Sequence, residues 1–162
     1  MSQTRETGEL ERFRFDRVLV VEEDADRALV ELALADNDEV VSTRRVADEQ
    51  DISFKYLEQI MSALRAAGLV KSRRGQNGGY SLARKPEQIT LLQVYRVLEG
   101  SPAPADCVDA PESCPRNRRC AMRQTWVEMA DSIREVLENT TLRDLKDRHR
   151  NNSPGAAAAY HI

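Results

Sequence analysis

The chain has 162 residues and a formal net charge of −3, a length that suits one compact domain or a small domain with an appended arm. With 41% hydrophobic and 31% charged residues, it is not a wholly disordered chain, and no apolar run approaches the ~20 residues of a membrane-spanning helix. Three cysteines argue against a closed disulfide framework, and the charged opening MSQTRETGELERFRFD argues against a secretory signal, so a reducing cytoplasmic location with no membrane partner is expected.

The charge is unevenly spread. Residues 1–40 carry 5 Lys/Arg against 12 Asp/Glu, and residues 43–85 carry 9 against 4. A basic segment of this kind suits either a phosphate backbone or an ordinary solvated face.

In chain order, residues 1–15 are polar and read as a flexible extension. Asp16 to Leu34 reads as a helix, because Ala25, Ala28, Leu29, Leu32 and Ala33 fall on one 3.6-period face. The run Val18 to Val21 is locally strand-like, which blurs the start of that helix. Asp36 to Asp38 reads as a turn. Ser42 is placed to cap a short helix from Thr43 to Glu49, and Asp51-Ile-Ser53 is a three-residue turn. Ser53 is placed to cap the next helix, which carries Leu57, Ile60, Met61, Leu64 and Ala67 and ends at Gly68. Two short β-prone runs, Leu69 to Arg74 and Tyr80 to Leu82, flank a glycine-rich turn and predict a hairpin. Thr90 caps a helix from Leu91 to Leu98, closed by Gly100. Residues 101–120 form a loop rich in Pro, Asp and Cys. A long helix is predicted from about Cys120 to Asn139, with Met122, Trp126, Met129, Ile133, Val136 and Leu137 on one side. Residues 140–150 continue it with less pattern, and 151–162 read as a flexible tail.

The fold expected is mainly α with a small β-hairpin wing. A winged helix-turn-helix DNA-binding domain spans 16–100, a cysteine loop 101–120 and a dimerisation helix region 121–150. In such a domain the second helix of the pair enters the major groove. Its outward residues are predicted to be Ser53, Lys55, Tyr56, Glu58 and Gln59, whose side chains suit base edges and phosphates. The hairpin adds Lys71, Arg73 and Arg74 beside glycines that permit close approach to the backbone.

Cys107, Cys114 and Cys120 lie within 14 residues, next to Arg116, Arg118 and Arg119. Thiolates favour iron–sulfur clusters, zinc or copper(I), and cationic neighbours offset their charge. A structural zinc site is disfavoured, because no Cys-x2-Cys pair or suitably spaced histidine supplies a fourth ligand. Unligated thiols, acting as a cluster-free switch by oxidation or nitrosylation, remain a reading. No phosphate-binding glycine loop or nucleophile–base grouping appears, so no enzyme is expected. A third reading is a protein-interaction or cluster-assembly module.

Several stretches taken together resemble one family. They are Ile52-Ser-Phe-Lys-Tyr-Leu-Glu-Gln-Ile, Leu64-Arg-Ala-Ala-Gly-Leu-Val, Arg74-Gly-x-x-Gly-Gly-Tyr80-x-Leu82, Ile89-Thr-Leu-Leu and Glu99-Gly100, with the three loop cysteines following. The sequence resembles the IscR/NsrR/RirA (Rrf-two) family of winged-helix iron–sulfur transcription regulators from about Asp26 to Leu145. The resemblance implies a homodimer on double-stranded promoter DNA, with affinity set by a cluster held on Cys107, Cys114 and Cys120. The 2Fe–2S form is favoured over 4Fe–4S, and redox, nitric oxide or iron status is the signal. It also implies Ser53, Lys55, Glu58 and Gln59 in the major groove and Arg74 leading the wing. Some members use a histidine three residues after the last cysteine as fourth ligand. Here that residue is Arg123, which cannot bind iron. Others use a carboxylate of the first helix, often from the partner chain. That register implies Glu23, with Glu22 and Asp24 as neighbours in register. This chain departs from the family in its residues before the first helix, in the acidic start of that helix, and in a Cys107–Cys114 spacing one residue longer than the common pattern.

Overall fold

The computed structural model describes residues 12–35, 39–75 and 77–152, with side chains of the first helix described from Glu23 onward. Most of the predicted extension, the Asp36–Asp38 turn and most of the predicted tail therefore lie outside the described residues.

Helix α1 runs Arg12–Leu34. It begins before the expected Asp16, and Val18 to Val21 lie within it. Local β-propensity gives way to helix when an apolar face farther along is buried. Ala25, Ala28, Leu29, Leu32 and Ala33 form that face, and all five are buried. Helix α2 (Thr43–Gln50) follows. Ser42 occupies its cap position without using its hydroxyl. Asp51 closes the helix in the left-handed conformation at φ 54°, which a short acidic side chain tolerates better than most.

Helix α3 (Phe54–Ala66) buries Leu57, Ile60, Met61 and Leu64. It stops in a Schellman turn. The Gly68 N–H donates to the Arg65 carbonyl at 3.0 Å and the Leu69 N–H to the Leu64 carbonyl at 3.0 Å, with Gly68 at φ 71°. The wing follows as strands β1 (Val70–Arg73) and β2 (Gly79–Leu82), paired antiparallel from Val70 with Leu82 to Arg73 with Gly79. Val41, just before α2, bridges to Tyr80 as a one-residue third strand. Its N–H donates to the Tyr80 carbonyl at 2.8 Å, and the return bond measures 2.9 Å. Gly79 makes this contact possible, because a Cβ there would lie 2.0 Å from the Val41 carbonyl oxygen.

Helix α4 (Leu91–Leu98) opens on a complete capping box of Thr90 and Gln93. The cysteine segment is more ordered than an irregular loop. It holds the single turn α5 (Asp106–Asp109) and two short 3-10 turns at Pro111–Ser113 and Asn117–Arg119. Helix α6 (Arg123–Glu138) starts three residues after Cys120 and packs on α4 and α5. It does not run on into residues 140–150. The chain breaks at Thr140–Thr141 and forms a separate helix, α7 (Leu142–Asn152), which packs against α1. The seam is backbone. The Leu142 N–H donates to the Ile89 carbonyl at 3.0 Å, and the Leu91 N–H to the Thr140 carbonyl at 2.9 Å. Leu142 is fully buried in the same core as Leu29, Leu57, Leu64 and Ile89. No helix among the described residues is long and apolar enough to cross a membrane.

Candidate nucleic-acid interface and thiol loop

The α2–turn–α3 unit and the wing enclose one groove of about 410 Å³. Arg44 of α2, Phe54 and Glu58 of α3, and Arg73 and Arg74 of the wing line it. The Arg65 guanidinium donates to the Ser72 hydroxyl at 3.1 Å and ties α3 to β1. Tyr80 is buried at the floor. Burial pushes its phenol above its ordinary pKa, the Glu58 carboxylate adds to the shift, and Arg65 pulls against it.

Of the residues predicted to face DNA, Ser53, Lys55, Gln59, Arg73 and Arg74 are exposed. Glu58 is half-buried in the groove. Tyr56 is half-buried and packs against the core. Lys71 is exposed but lines a separate groove behind the hairpin, with Arg84, Lys85, Arg143 and Lys146. Arg44, Phe54 and Arg65 were absent from the sequence-level set. Phe54 stands three residues before Leu57, at the spacing of the buried stripe, yet it is 43% exposed. As the first residue of α3 it reaches the Arg44 guanidinium, which sits 5.0 Å from the ring centroid.

Cys107 lies in α5, Cys114 follows the first 3-10 turn and Cys120 follows the second. All three are half-buried free thiols. Cys114 lines a small cleft with Asn117 and Arg118. Two buried polar atoms in this region have no hydrogen-bond partner among the described residues, the Asn117 Oδ1 and the Arg123 Nε. Unpaired buried groups of this kind cost about 1–3 kcal/mol each unless water or another group reaches them. Three free thiols on one segment suit a sulfur-ligated metal group in their chemistry. Their arrangement in one chain does not gather them, since no three His, Cys, Asp or Glu side chains among the described residues converge to hold a metal ion. Glu23 is on α1, exposed and paired with Arg27. It lines a cleft with Asp26, Gln50 and His149 and not with the thiols.

The chain matches the family model described as Rrf2, iron-dependent transcriptional regulator, over residues 23–148. It is 40% identical over 117 residues to the transcriptional regulator CymR of Bacillus subtilis (strain 168), covering 72% of this chain and 80% of CymR. It is 35% identical over 118 residues to the regulator IscR of Pectobacterium atrosepticum, covering 73% and 71%. Among solved structures, CymR (YrzC), the global cysteine regulator of B. subtilis, superposes with a TM-score of 0.68 at 36% identity, covering 79% of this chain and 94% of that one. IscR of T. potens superposes with a TM-score of 0.67 at 35% identity, covering 86% and 93%. On the match over most of its length, the shared winged-helix architecture and the identity to these regulators, the chain belongs to the Rrf2 family of transcriptional regulators.

Proposed function

We propose that the chain is a cytoplasmic homodimer that binds double-stranded promoter DNA through α3 and the wing, with an affinity set by an iron–sulfur cluster on Cys107, Cys114 and Cys120. The observation that carries the DNA half is the groove shared by α3 and the wing, where Arg44, Arg73 and Arg74 flank the exposed first turn of a reading helix. Support for the thiol half comes from the IscR relatives and from three unbonded thiols on one short segment.

In this reading Ser53, Lys55, Glu58 and Gln59 meet base edges, and Arg73 and Arg74 hold the backbone beside the wing. Lys71 adds long-range attraction from the other face of the hairpin. The three thiols lend their sulfur atoms to the cluster, and Glu23 of a second copy offers the fourth donor. A bound cluster would supply reactivity toward oxidants, nitric oxide or iron depletion. Affinity changes only to the extent that the two states of the loop differ in their interaction with DNA.

A second reading, a cluster-free thiol switch, is favoured by the CymR relatives, of which the Staphylococcus aureus protein has been solved in an oxidized form. One experiment separates the two. Protein purified without oxygen is assayed for iron and acid-labile sulfide, by visible spectroscopy and by promoter binding, alongside Cys114→Ala and Glu23→Ala. The cluster reading expects a coloured, iron-containing wild type, loss of colour in Cys114→Ala and a DNA affinity that changes when iron is stripped. A colourless wild type whose DNA response follows thiol oxidation establishes the switch instead.

A further inference from the structure

The reading helix opens on a large apolar side chain that the fold leaves in water. Phe54 is the first residue of α3 and is 43% exposed, while the apolar residues that follow it at Leu57, Ile60, Met61 and Leu64 are buried. Its ring is held under the Arg44 guanidinium at 5.0 Å. Neither residue is spent on the core or on an ion pair among the described residues.

Resting on the DNA-binding reading above, we propose that Phe54 is a base-reading residue for thymine, packing against a 5-methyl group in the major groove while Arg44 steadies the ring and reaches the adjacent phosphate. Three observations lead there. The first turn of a recognition helix is the part that meets base edges. Of the four bases only thymine shows a methyl group in that groove, and an apolar side chain is its matching surface. The surroundings select a polyanion over an apolar protein partner, because the same groove carries Arg65, Arg73 and Arg74 against the single carboxylate of Glu58. The guanidinium over the ring face also limits the ring's rotation, so less freedom is lost on contact.

The test begins with the full-length protein selecting from a random-sequence duplex pool. Each thymine of the recovered duplex is then replaced singly by deoxyuridine, which removes only the methyl group. Wild type is expected to bind about fourfold more weakly at one thymine per half-site, the value of one buried methyl group. In Phe54→Ala that penalty vanishes, and selection at that position relaxes. Phe54→Leu, which keeps an apolar side chain, retains part of it. Arg44→Ala lowers the slope of log affinity against log salt by about 0.9, the signature of one lost phosphate contact. Both side chains are exposed, so unfolding midpoints are expected to stay at the wild-type value. A pool that yields no preferred sequence overturns the DNA-reading function itself. A preferred sequence whose deoxyuridine penalties are the same in wild type and Phe54→Ala overturns the assignment of Phe54 alone.

Discussion

At the scale of single residues, two side chains carry unusual burdens. Asp26 sits in a cleft with Glu23, Arg27 and Glu31 of its own helix, Gln50 of α2, and Leu145 and His149 of α7. Burial raises its carboxyl from 3.8 to about 6. The folded protein thus takes up this proton more readily than the unfolded chain. The stabilisation that follows is complete below the unfolded value and is lost as pH climbs through about 6. Asp26→Asn is expected to raise stability by about 2–3 kcal/mol at pH 8 and to leave it nearly unchanged at pH 4. Urea midpoints across that range check it, and equal offsets at every pH would contradict it. Gly79 carries a steric burden. A methyl group there would press on the Val41 carbonyl, a backbone atom that cannot turn aside. Gly79→Ala is expected to cost about 2–3 kcal/mol, through two broken bridge hydrogen bonds and local strain. Gly68→Ala meets open space at a left-handed φ of 71° and should cost only about 1 kcal/mol. Thermal unfolding of the two variants decides the order.

At the scale of elements, the sequence was most legible where local chemistry and burial agree. Thr90 with Gln93, Gly68 after the apolar stripe from Leu57 to Ala67, and β-prone runs around glycines each specify a boundary through short-range bonds, and each boundary stands in the structure, although Ala67 itself is exposed as the residue after α3. It was least legible where a distant contact decides. The start of α1 was blurred by the strand-like run at Val18 and lies four residues before the expected Asp16, because the face that organises the helix is farther along, at Ala25 to Ala33. Nothing near Thr140 announces a break, because the bonds that hold it go to Ile89 and Leu91. Phe54 was hidden by its own spacing, which matches the inward stripe. Lys71 and Arg73 looked equivalent as neighbours on one strand, yet they border different grooves. For the thiols, residue types could be read from the sequence and convergence could not, since spacing along a loop does not fix distances across it.

At the scale of the whole molecule, α6 and the residue before it present Met122, Met129, Ile133 and Val136 to water, with Val136 65% exposed. Only Ala130 of that helix is fully buried. A contiguous apolar strip on a helix calls for a partner surface, and the homodimer proposed above supplies one. Val136→Glu is expected to shift sedimentation toward monomer and to weaken binding to a two-half-site duplex at least tenfold. Its far-ultraviolet circular dichroism and single half-site binding should stay near wild type. A dimer that survives Val136→Glu unchanged would place the contact elsewhere.

The two ends of α6 differ in how they are fastened. The far end runs into the Thr140–Leu142 seam, stitched by main-chain bonds to both sides of Thr90. The near end emerges from the turn that carries Cys120, whereas a side-chain ion pair at 2.9 Å ties Arg134, in the last turns of the helix, to Asp109 of α5. Sixteen residues make a rod of about 24 Å, clamped at its base by the main-chain seam and joined at its tip to the turn that carries Cys120. On such a lever a tilt of about 10° at the clamp corresponds to roughly 4 Å at the tip, so in the homodimer proposed above a small rearrangement of the Cys120 turn would have mechanical purchase on the angle between the two DNA-binding domains.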